Sequence, residues 1–270
     1  MNVNVNDTAT ALLAAYDGAD RLPLPSAADA TFSLETAYAV ADEIRRRRLA
    51  RGERRLGYKI GFTNRSIWDR YGVHAPIWGP IWSTTVTQMA GSTHAVSLTG
   101  LVQPRLEPEI MFGFAAPPRP GMSDDELVAC LAWVAHGVEI VHTHFDDWRF
   151  RAADTVADFA LHGRLLIGPR VPVGSFASLR SDLAALHLEL HRNGELVDEG
   201  DATVVLDGPL DALRLWIDAM HGQAIRWPIR AGDIVTTGTI TDAWALLPGE
   251  VWETRSSDAR LAGLRVRTQP

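Results

Sequence analysis

Residues 103–114 read QPRLEPEIMFGF, an acidic start that runs into an apolar segment. The apolar residues from Glu109 to Phe114 predict a β-strand, and Glu107 and Glu109 lie two residues apart at its beginning. Side chains alternate between the two faces of a strand, so both carboxylates are expected on one face. Two such charges need a cation or a proton nearby, although chance acids on a solvated strand edge explain the pair about as well.

A third acidic residue, Glu139, lies in the apolar run VAHGVEIVHTHF at 134–145. An unpaired carboxylate in such a run is costly, so a solvated edge explains Glu139 poorly. Three carboxylates without a cysteine form a hard set of oxygen ligands, which suits Mg²⁺ or Mn²⁺ better than Zn²⁺. The three glutamates are therefore candidate ligands of a divalent metal.

The basic residues are unevenly divided between the two residue types. Of the 26 lysines and arginines, 25 are arginine and a single one is lysine, Lys59. Arginine stays protonated at any accessible pH, whereas the pKa of a buried lysine can be tuned so that it gives and takes a proton. Lys59 is therefore a candidate proton-transfer group. The alternative is a surface lysine left by chance in an arginine-rich sequence.

The composition is that of an ordinary globular protein of one or two domains, with 270 residues, 46% of them hydrophobic and 22% charged. The net charge of −7 argues against a general nucleic-acid binder. No apolar run reaches the roughly 18 residues that span a bilayer, and the N-terminal segment lacks the pattern of a secretory signal. We therefore expect no membrane association and a cytoplasmic location. With one cysteine, Cys130, an intramolecular disulfide is excluded.

Helical and strand patterns are interleaved along the chain and predict an α+β fold. Helical spacing covers 34–51, 124–136 and 210–221, and strand patterns cover 186–190, ahead of the turn pair Asn193-Gly194, and 233–241. The segment 57–85 is rich in Gly, Pro and Trp and predicts loop around short elements. Its tryptophans, at 68, 78 and 82, belong either to the core or to the wall of a ligand pocket.

Four stretches carry a resemblance to a known family. They are GYKIGFTN at 57–64, QPRLEPEI at 103–110, VEIV at 138–141 followed by DTVAD at 154–158, and AGDIVTTGTIT at 231–241. In this order they resemble the fumarylacetoacetate hydrolase superfamily, in its 2-keto-4-pentenoate hydratase/4-oxalocrotonate decarboxylase branch. The resemblance implies a mainly helical N-terminal region at 1–85 with a Gly/Trp-rich loop, followed by a catalytic domain at 86–270 built as a mixed β-sheet roll.

The resemblance also implies a site. The metal ligands would be Glu107, Glu109 and Glu139, and the metal would chelate a 2-oxo acid through its carboxylate and its keto or enol oxygen. Lys59 would transfer a proton, with its pKa lowered by the metal and by burial. The candidate substrate-binding residues are Arg105, Gly238, Thr239 and Trp78. These parts are complementary, because a metal stabilises an enolate oxygen while an amine moves the proton at carbon.

The sequence departs from the hydratase pattern at residues 76–79 (PIWG), 141–144 (VHTH) and 158–161 (DFAL). Histidines and large apolar side chains replace groups that would position water or the distal end of the substrate. The change indicates a bulkier or more apolar substrate, or another reaction of the same enolate. Strict alternation from Glu139 turns both His142 and His144 away from the metal unless the strand ends or bulges. Of the two, His144 is the better catalytic candidate because it lies nearer the strand end.

Three hypotheses follow from these features. The first is a divalent-metal-dependent lyase, a hydratase of 2-hydroxydienoic or 2-oxo acids in the catabolism of aromatic compounds. The second is a C–C hydrolase of an acylpyruvate, or a 2-oxo acid decarboxylase, with His144 as the base. The third is a non-catalytic subunit that partners an active decarboxylase. The family resemblance further implies a homo-oligomer that binds a small-molecule 2-oxo acid.

Overall fold

The computed structural model describes residues 4–225 and 227–270. Its N-terminal region is helical and begins with helix α1 at Val5–Gly18, whose first turn is capped by the Asn4 side chain. The other helices are α2 Pro25–Ala28, α3 Leu34–Ala50, α4 Trp68–Tyr71, α5 Asp124–Ala129, α6 Ala152–Ala157, α7 Leu179–Ala184 and α8 Pro209–Gly222. No helix in the two described ranges is long and apolar enough to cross a membrane.

The described strands form two sheets. The larger sheet contains β1 Arg55–Gly61, β2 Ile77–Trp82, β3 Val86–Gln88, β5 Arg105–Phe114, β6 Leu131–Val141, β7 His162–Ile167, β8 Val171–Pro172, β11 Ile234–Thr239 and β12 Trp244–Ala245. The smaller sheet contains β4 Thr93–Ser97, β9 His187–Arg192, β10 Glu195–Asp201, β13 Val251–Ser256 and β14 Arg265–Gln269.

Both parallel and antiparallel pairs occur in the larger sheet. Its strand order is β2-β1-β11-β5-β6-β7-β3, with β12 beside β5 and β8 beside β6. β1 runs parallel to β11, whereas β5 is antiparallel to both β11 and β6. In the smaller sheet, β9 and β10 form a hairpin around Asn193-Gly194, where both residues have positive φ. This hairpin confirms the turn predicted from the sequence, and the mixed architecture confirms the predicted α+β fold.

Two buried clusters cover different parts of one face of the larger sheet. The first packs this face against the N-terminal helices and α8 and includes Tyr38, Phe112 and Trp216. Between the two sheets lies a second cluster, with Leu106 and Trp252 among its buried members. Burial of each such side chain contributes about 1.5–3 kcal/mol. The opposite face of β5 carries Glu107 and Glu109, and further along the strand it is buried by a third cluster that includes Met111, Ala135 and Leu165.

One predicted helix was wrong in its extent, and the short elements predicted at 57–85 include two strands. The helix predicted at 124–136 ends at Ala129, and Leu131–Val141 is strand β6, because this segment pairs along its length with β5 and continues the sheet toward β7. The segment 57–85, predicted as loop around short elements, contains most of β1 and all of β2. Pro80 concealed β2, but β2 is the edge strand, where a missing N–H costs no ladder hydrogen bond. The larger sheet thus includes strands from both sides of residue 85.

Candidate active site

Three glutamates meet on neighbouring strands of the larger sheet. Glu107 and Glu109 lie on the same face of β5, as their spacing predicts, and Glu139 on β6 is the direct cross-strand partner of Glu107. One carboxylate oxygen from each residue lies within 4.8 Å of the others. Glu109 and Glu139 are fully buried, and Glu107 is partly exposed. The antiparallel pairing of β5 and β6 therefore builds a compact carboxylate cluster.

A bulge in β11 holds the Glu109 carboxylate. Its Oε2 accepts hydrogen bonds from the Thr236 hydroxyl and, at 2.7 Å, from the backbone N–H of Gly238. The strand register shifts between Thr236 and Thr239, and Gly238 has a φ of +101°. A Cβ at this position would lie 1.9 Å from Thr63 Oγ1, so only glycine fits. In the described part of the chain, Glu109 Oε1 is buried and has no hydrogen-bond partner.

Glu139 is contacted on both of its oxygens. His162 Nδ1 lies 2.7 Å from Oε1, and Lys59 Nζ lies 3.2 Å from Oε2. Lys59 comes from β1, and its ammonium group is almost completely buried. The single lysine of the sequence is thus placed at the carboxylate cluster and not on the surface.

The carboxyl groups have strongly perturbed pKa values. Burial raises the pKa of Glu107 to about 7, with Glu139 adding to the increase and Lys59 opposing it. Burial and the charges of Glu139 and Glu107 hold the pKa of Glu109 well above its usual range. Burial also acts to raise the pKa of Glu139, but Lys59 and His162 outweigh it and the net shift is downward. Protonation of Glu107 or Glu109, or a cation beside them, therefore reduces the repulsion within the cluster.

The pKa of Lys59 responds to the same charges. Burial acts to lower it, but Glu139, Glu107 and Glu109 together outweigh burial, and the side chains of the site alone leave the pKa raised. The lowered pKa expected from the sequence presupposed a cation at the glutamates, which would offset their charge. Without that cation, Lys59 is held as an ammonium ion.

The residues of this cluster fit a hard divalent cation. They supply three carboxylates against one ammonium group, and one fully buried oxygen, Glu109 Oε1, lacks a partner in the described ranges. Oxygen-only donor sets of this kind suit Mg²⁺, Mn²⁺ or Ca²⁺. The unpaired buried oxygen is costly as it stands and would be satisfied by a cation.

A pocket of about 230 Å³ opens beside the cluster. Its inner end is lined by Lys59 and Glu107, and its walls include Gly238 and Thr239. The Thr239 hydroxyl donates to the Thr241 carbonyl at 2.8 Å. The remaining lining residues are Ile60, Gly61, Phe62, Thr63, Asn64, Ile67, Tyr71, Ile77, Arg105, Val141, Trp148, Phe150, Ala160, Leu161, Asp242 and Ala243.

Aromatic side chains form the outer end of the pocket. The Tyr71 and Phe150 rings stack with centroids 5.7 Å apart, and the Trp148 and Phe150 centroids are 6.0 Å apart. The Arg105 guanidinium lies over the Trp148 ring, 4.3 Å from its centroid. Among the described residues, no carboxylate lies within ion-pair distance of Arg105. We name Arg105, Tyr71, Trp148 and Phe150 the outer wall.

Four predicted site residues do not line this pocket. Two of them, Glu109 and Glu139, belong to the carboxylate cluster, whereas Trp78 and His144 belong neither to the cluster nor to the pocket lining. Trp78 packs against Tyr38 in the core, because alternation along β2 turns Ile77 toward the pocket and Trp78 away from it. His144 follows the end of β6 and is fully buried, with its Nδ1 2.5 Å from Asp158 Oδ1. The structure therefore separates His144 and Trp78 from the residues that line the pocket.

Other residues at the site were missed in the sequence. His162 contacts Glu139 across the β6–β7 pairing, and no motif marks a contact between positions so far apart in sequence. Thr236 was noted only as part of a β-branched strand, yet it holds Glu109. Tyr71 and Phe150 were missed because the tryptophans drew attention to 68, 78 and 82. The sequence left these tryptophans open between the core and a pocket wall, and none of the three is among the residues that line the pocket.

Comparisons with known proteins show the family to which the chain belongs. The chain is 33% identical over 209 residues to 2-hydroxyhexa-2,4-dienoate hydratase of Comamonas testosteroni, which covers 77% of this chain and 76% of the relative. It is 31% identical over 216 residues to 4-oxalocrotonate decarboxylase of Pseudomonas putida, covering 79% and 78%. The chain belongs to the 2-keto-4-pentenoate hydratase/4-oxalocrotonate decarboxylase branch of the fumarylacetoacetate hydrolase superfamily.

The fold of this family is shared over almost the whole chain. The solved structure of 4-oxalocrotonate decarboxylase from Pseudomonas putida G7, in complex with magnesium and adipate, superposes with a TM-score of 0.88 at 26% identity. The superposition covers 98% of this chain and 97% of that one. No family model matches the chain. The family assignment therefore depends on the relatives and on the shared fold.

Proposed function

We propose that this family member is a divalent-metal-dependent hydratase that adds water to a 2-hydroxydienoic acid by way of an enolate. The observation that carries the proposal is the buried contact of 3.2 Å between Lys59 Nζ and Glu139 in a cluster of three glutamates at the inner end of a pocket. Enolate chemistry needs both a stabilised oxygen and a proton donor at carbon. The named relatives include a hydratase of this kind of acid.

The residues of the inner end have separate tasks. Glu107, Glu109 and Glu139 would hold Mg²⁺ or Mn²⁺, which supplies Lewis-acid stabilisation of a 2-oxo or enol oxygen when bound. Lys59 Nζ would give a proton to a carbon of the dienol and regain one from the water whose hydroxyl group adds to the chain. The Gly238 N–H and the Thr236 hydroxyl hold Glu109 in place. Burial of these groups keeps bulk water from the enolate.

The position of the outer wall indicates which end of a substrate would contact it. Because Arg105 and Glu107 are two residues apart on one face of β5, the outer wall begins one strand repeat, about 7 Å, beyond the carboxylate cluster. A 2-oxo acid anchored at the glutamates would extend its carbon chain toward Tyr71, Trp148 and Phe150. We propose that the distal end of the substrate is apolar, as the departures from the hydratase pattern indicate.

Arg105 favours a second candidate reaction, decarboxylation of a dicarboxylic substrate. Its guanidinium is half-buried in the outer wall, without a carboxylate partner among the described residues. A second substrate carboxylate would provide that partner. The decarboxylase with the same fold binds adipate, which is a dicarboxylate. Loss of CO₂ would use the same three glutamates to hold the metal and the same lysine to supply a proton to carbon.

Product analysis separates these reactions. We would mix metal-stripped protein with 2-hydroxypenta-2,4-dienoate, add Mg²⁺ and follow the proton NMR spectrum, and repeat the experiment with 4-oxalocrotonate. For a hydratase, we expect metal-dependent formation of 4-hydroxy-2-oxopentanoate from 2-hydroxypenta-2,4-dienoate, the first substrate. CO₂ release from the second substrate alone would favour the decarboxylase, and two fragments from an acylpyruvate would favour a C–C hydrolase. Saturable metal binding without turnover of any of the three would favour the non-catalytic subunit.

The assembly and the location of the protein remain predictions. We propose a cytoplasmic homo-oligomer, in line with the family resemblance. Size-exclusion chromatography with light scattering would give the mass of the assembly. A mass near that of the 29.6 kDa chain would contradict the oligomer.

A further inference from the structure

A chain of buried hydrogen bonds runs behind the carboxylate cluster. Glu139 Oε1 lies 2.7 Å from His162 Nδ1, and His162 Nε2 lies 2.8 Å from Thr85 Oγ1. Glu139 is 0% exposed, and His162 and Thr85 are each 2% exposed. Neither His162 nor Thr85 is among the residues that line the pocket. The two residues can therefore act on a ligand only through Glu139.

Hydrogen-bond chemistry determines which group donates and which accepts in each of these hydrogen bonds. A carboxylate only accepts hydrogen bonds, so the His162 proton lies on Nδ1 and is donated to Glu139. The Nε2 atom of a neutral ring is then an acceptor, and the Thr85 hydroxyl donates to it. The Trp82 carbonyl, 3.0 Å from that hydroxyl, already accepts from the Thr85 backbone N–H and does not need it. Every polar atom of the imidazole thus has a partner.

The position of His162 decides what Glu139 can do. His162 begins β7 opposite Val141, next to a register shift, and it faces the same side of the sheet as Glu139. By occupying Oε1, His162 leaves Oε2 as the oxygen that faces Lys59. Without this hydrogen bond, the carboxylate could turn both oxygens toward the lysine ammonium. Glu139 would then lose the fixed orientation in which one of its oxygens lies within 4.8 Å of Glu107 and Glu109.

We propose that His162 is a positioning residue that keeps Glu139 in its metal-binding orientation, and that Thr85 fixes the tautomer in which it does so. The inference rests on the proposed function, since it supposes a cation at the three glutamates. Partners that orient a metal ligand in this way typically change metal affinity by 10–100-fold. The expected consequence is therefore a change in metal affinity, and not only in turnover.

Two substitutions at one position provide a matched test. The amide nitrogen of asparagine takes the place of Nδ1, so His162→Asn keeps a donor toward Glu139. The amide nitrogen of glutamine takes the place of Nε2, so His162→Gln keeps the group near Thr85 and removes the donor. Titration calorimetry of metal-stripped protein with MnCl₂ should show affinity about 10–100-fold weaker in His162→Gln and within about threefold of wild type in His162→Asn.

Other results of the titrations would count against the role of His162 or against the metal site itself. Equal affinity in wild type, His162→Gln and His162→Asn would overturn the proposal, and so would an equal loss in both folded variants. If neither variant folds, Thr85→Val and Thr85→Ser replace them. Weaker Mn²⁺ binding is expected in Thr85→Val alone. Equal binding in both Thr85 variants would count against the proposal. Wild-type protein that binds no Mn²⁺ would instead contradict the proposed function, with Glu139→Gln as the negative control.

Discussion

The two ends of the pocket are built in different ways. At the inner end, the four charged side chains come from strands β1, β5 and β6 of one sheet, and their charges interact over a few ångströms. They are Lys59, Glu107, Glu109 and Glu139. At the outer end, Tyr71 closes a one-turn helix and Trp148 lies in a turn, with a φ of +56°. The Trp148 indole N–H is held by the Gln103 carbonyl at 3.1 Å.

Because of this difference, the reaction and the choice of substrate depend on different ends of the pocket. Groups on paired strands keep their distances, which a metal and a proton donor require. Side chains on short turns can be exchanged without disturbing the sheet. The inner end should therefore set the reaction class, and the outer wall should set the substrate. Substitutions at the two ends should accordingly have separable effects.

The largest effect is expected at the carboxylate cluster. Glu107→Gln removes one metal ligand and one charge, so activity should fall by about 10³-fold or more, because the Lewis acid supplies several kcal/mol. Mn²⁺ titration should show a parallel loss of affinity. The control is Glu195→Gln, on an exposed part of β10. Undiminished activity in Glu107→Gln would remove this residue from the metal site.

A smaller but still severe effect is expected from Lys59→Arg. The guanidinium keeps a positive charge near Glu139 but cannot give up a proton, so turnover should fall by roughly 10²–10⁴-fold. Mn²⁺ affinity should stay within a few-fold of wild type. Steady-state kinetics and calorimetry on the same preparation separate the two quantities. Retained turnover would show that the proton comes from another group.

The outer wall should show a substrate-dependent effect. Trp148→Ala removes the ring beneath Arg105 and apolar contact area, so kcat/KM should fall about tenfold for a dienoic acid with an apolar distal chain, as expected for roughly 1–2 kcal/mol. The same variant should change kcat/KM for unsubstituted 2-hydroxypenta-2,4-dienoate by less than about threefold. An equal loss for both substrates would mean that the outer wall does not select between them.

The smallest effect on activity is expected from His144→Gln. The His144 ring contacts Tyr16, His142 and Phe159 and lies away from the pocket lining. Loss of its bond to Asp158 should lower the melting temperature, because a buried carboxylate loses a partner, while kcat of the folded variant stays within about threefold. A loss of 10²-fold or more in a well-folded variant would restore His144 as the catalytic base.

The sequence predicted local features of the site better than long-range ones. Alternation alone placed Glu107 and Glu109 on one face, and a costly carboxylate in an apolar run singled out Glu139. That these glutamates and Lys59 share one site was predicted only from the family resemblance. Strand pairing between distant segments leaves no pattern of spacing in the sequence. His162 was missed for the same reason. Helical spacing from residue 124 predicted where α5 begins, but the helix end was misplaced because pairing with β5 overrides helical spacing in β6.

The most direct test of the metal-enolate account is the position of the metal itself. Crystals of the protein soaked with MnCl₂ and 2-oxopentanoate, a 2-oxo acid, would be measured at a wavelength where manganese scatters anomalously. The account predicts one strong anomalous peak per chain, bonded to carboxylate oxygens of Glu107, Glu109 and Glu139 and to the 2-oxo acid, with Lys59 Nζ beside the bound acid. A peak elsewhere, or a 2-oxo acid bound away from these glutamates, would contradict it.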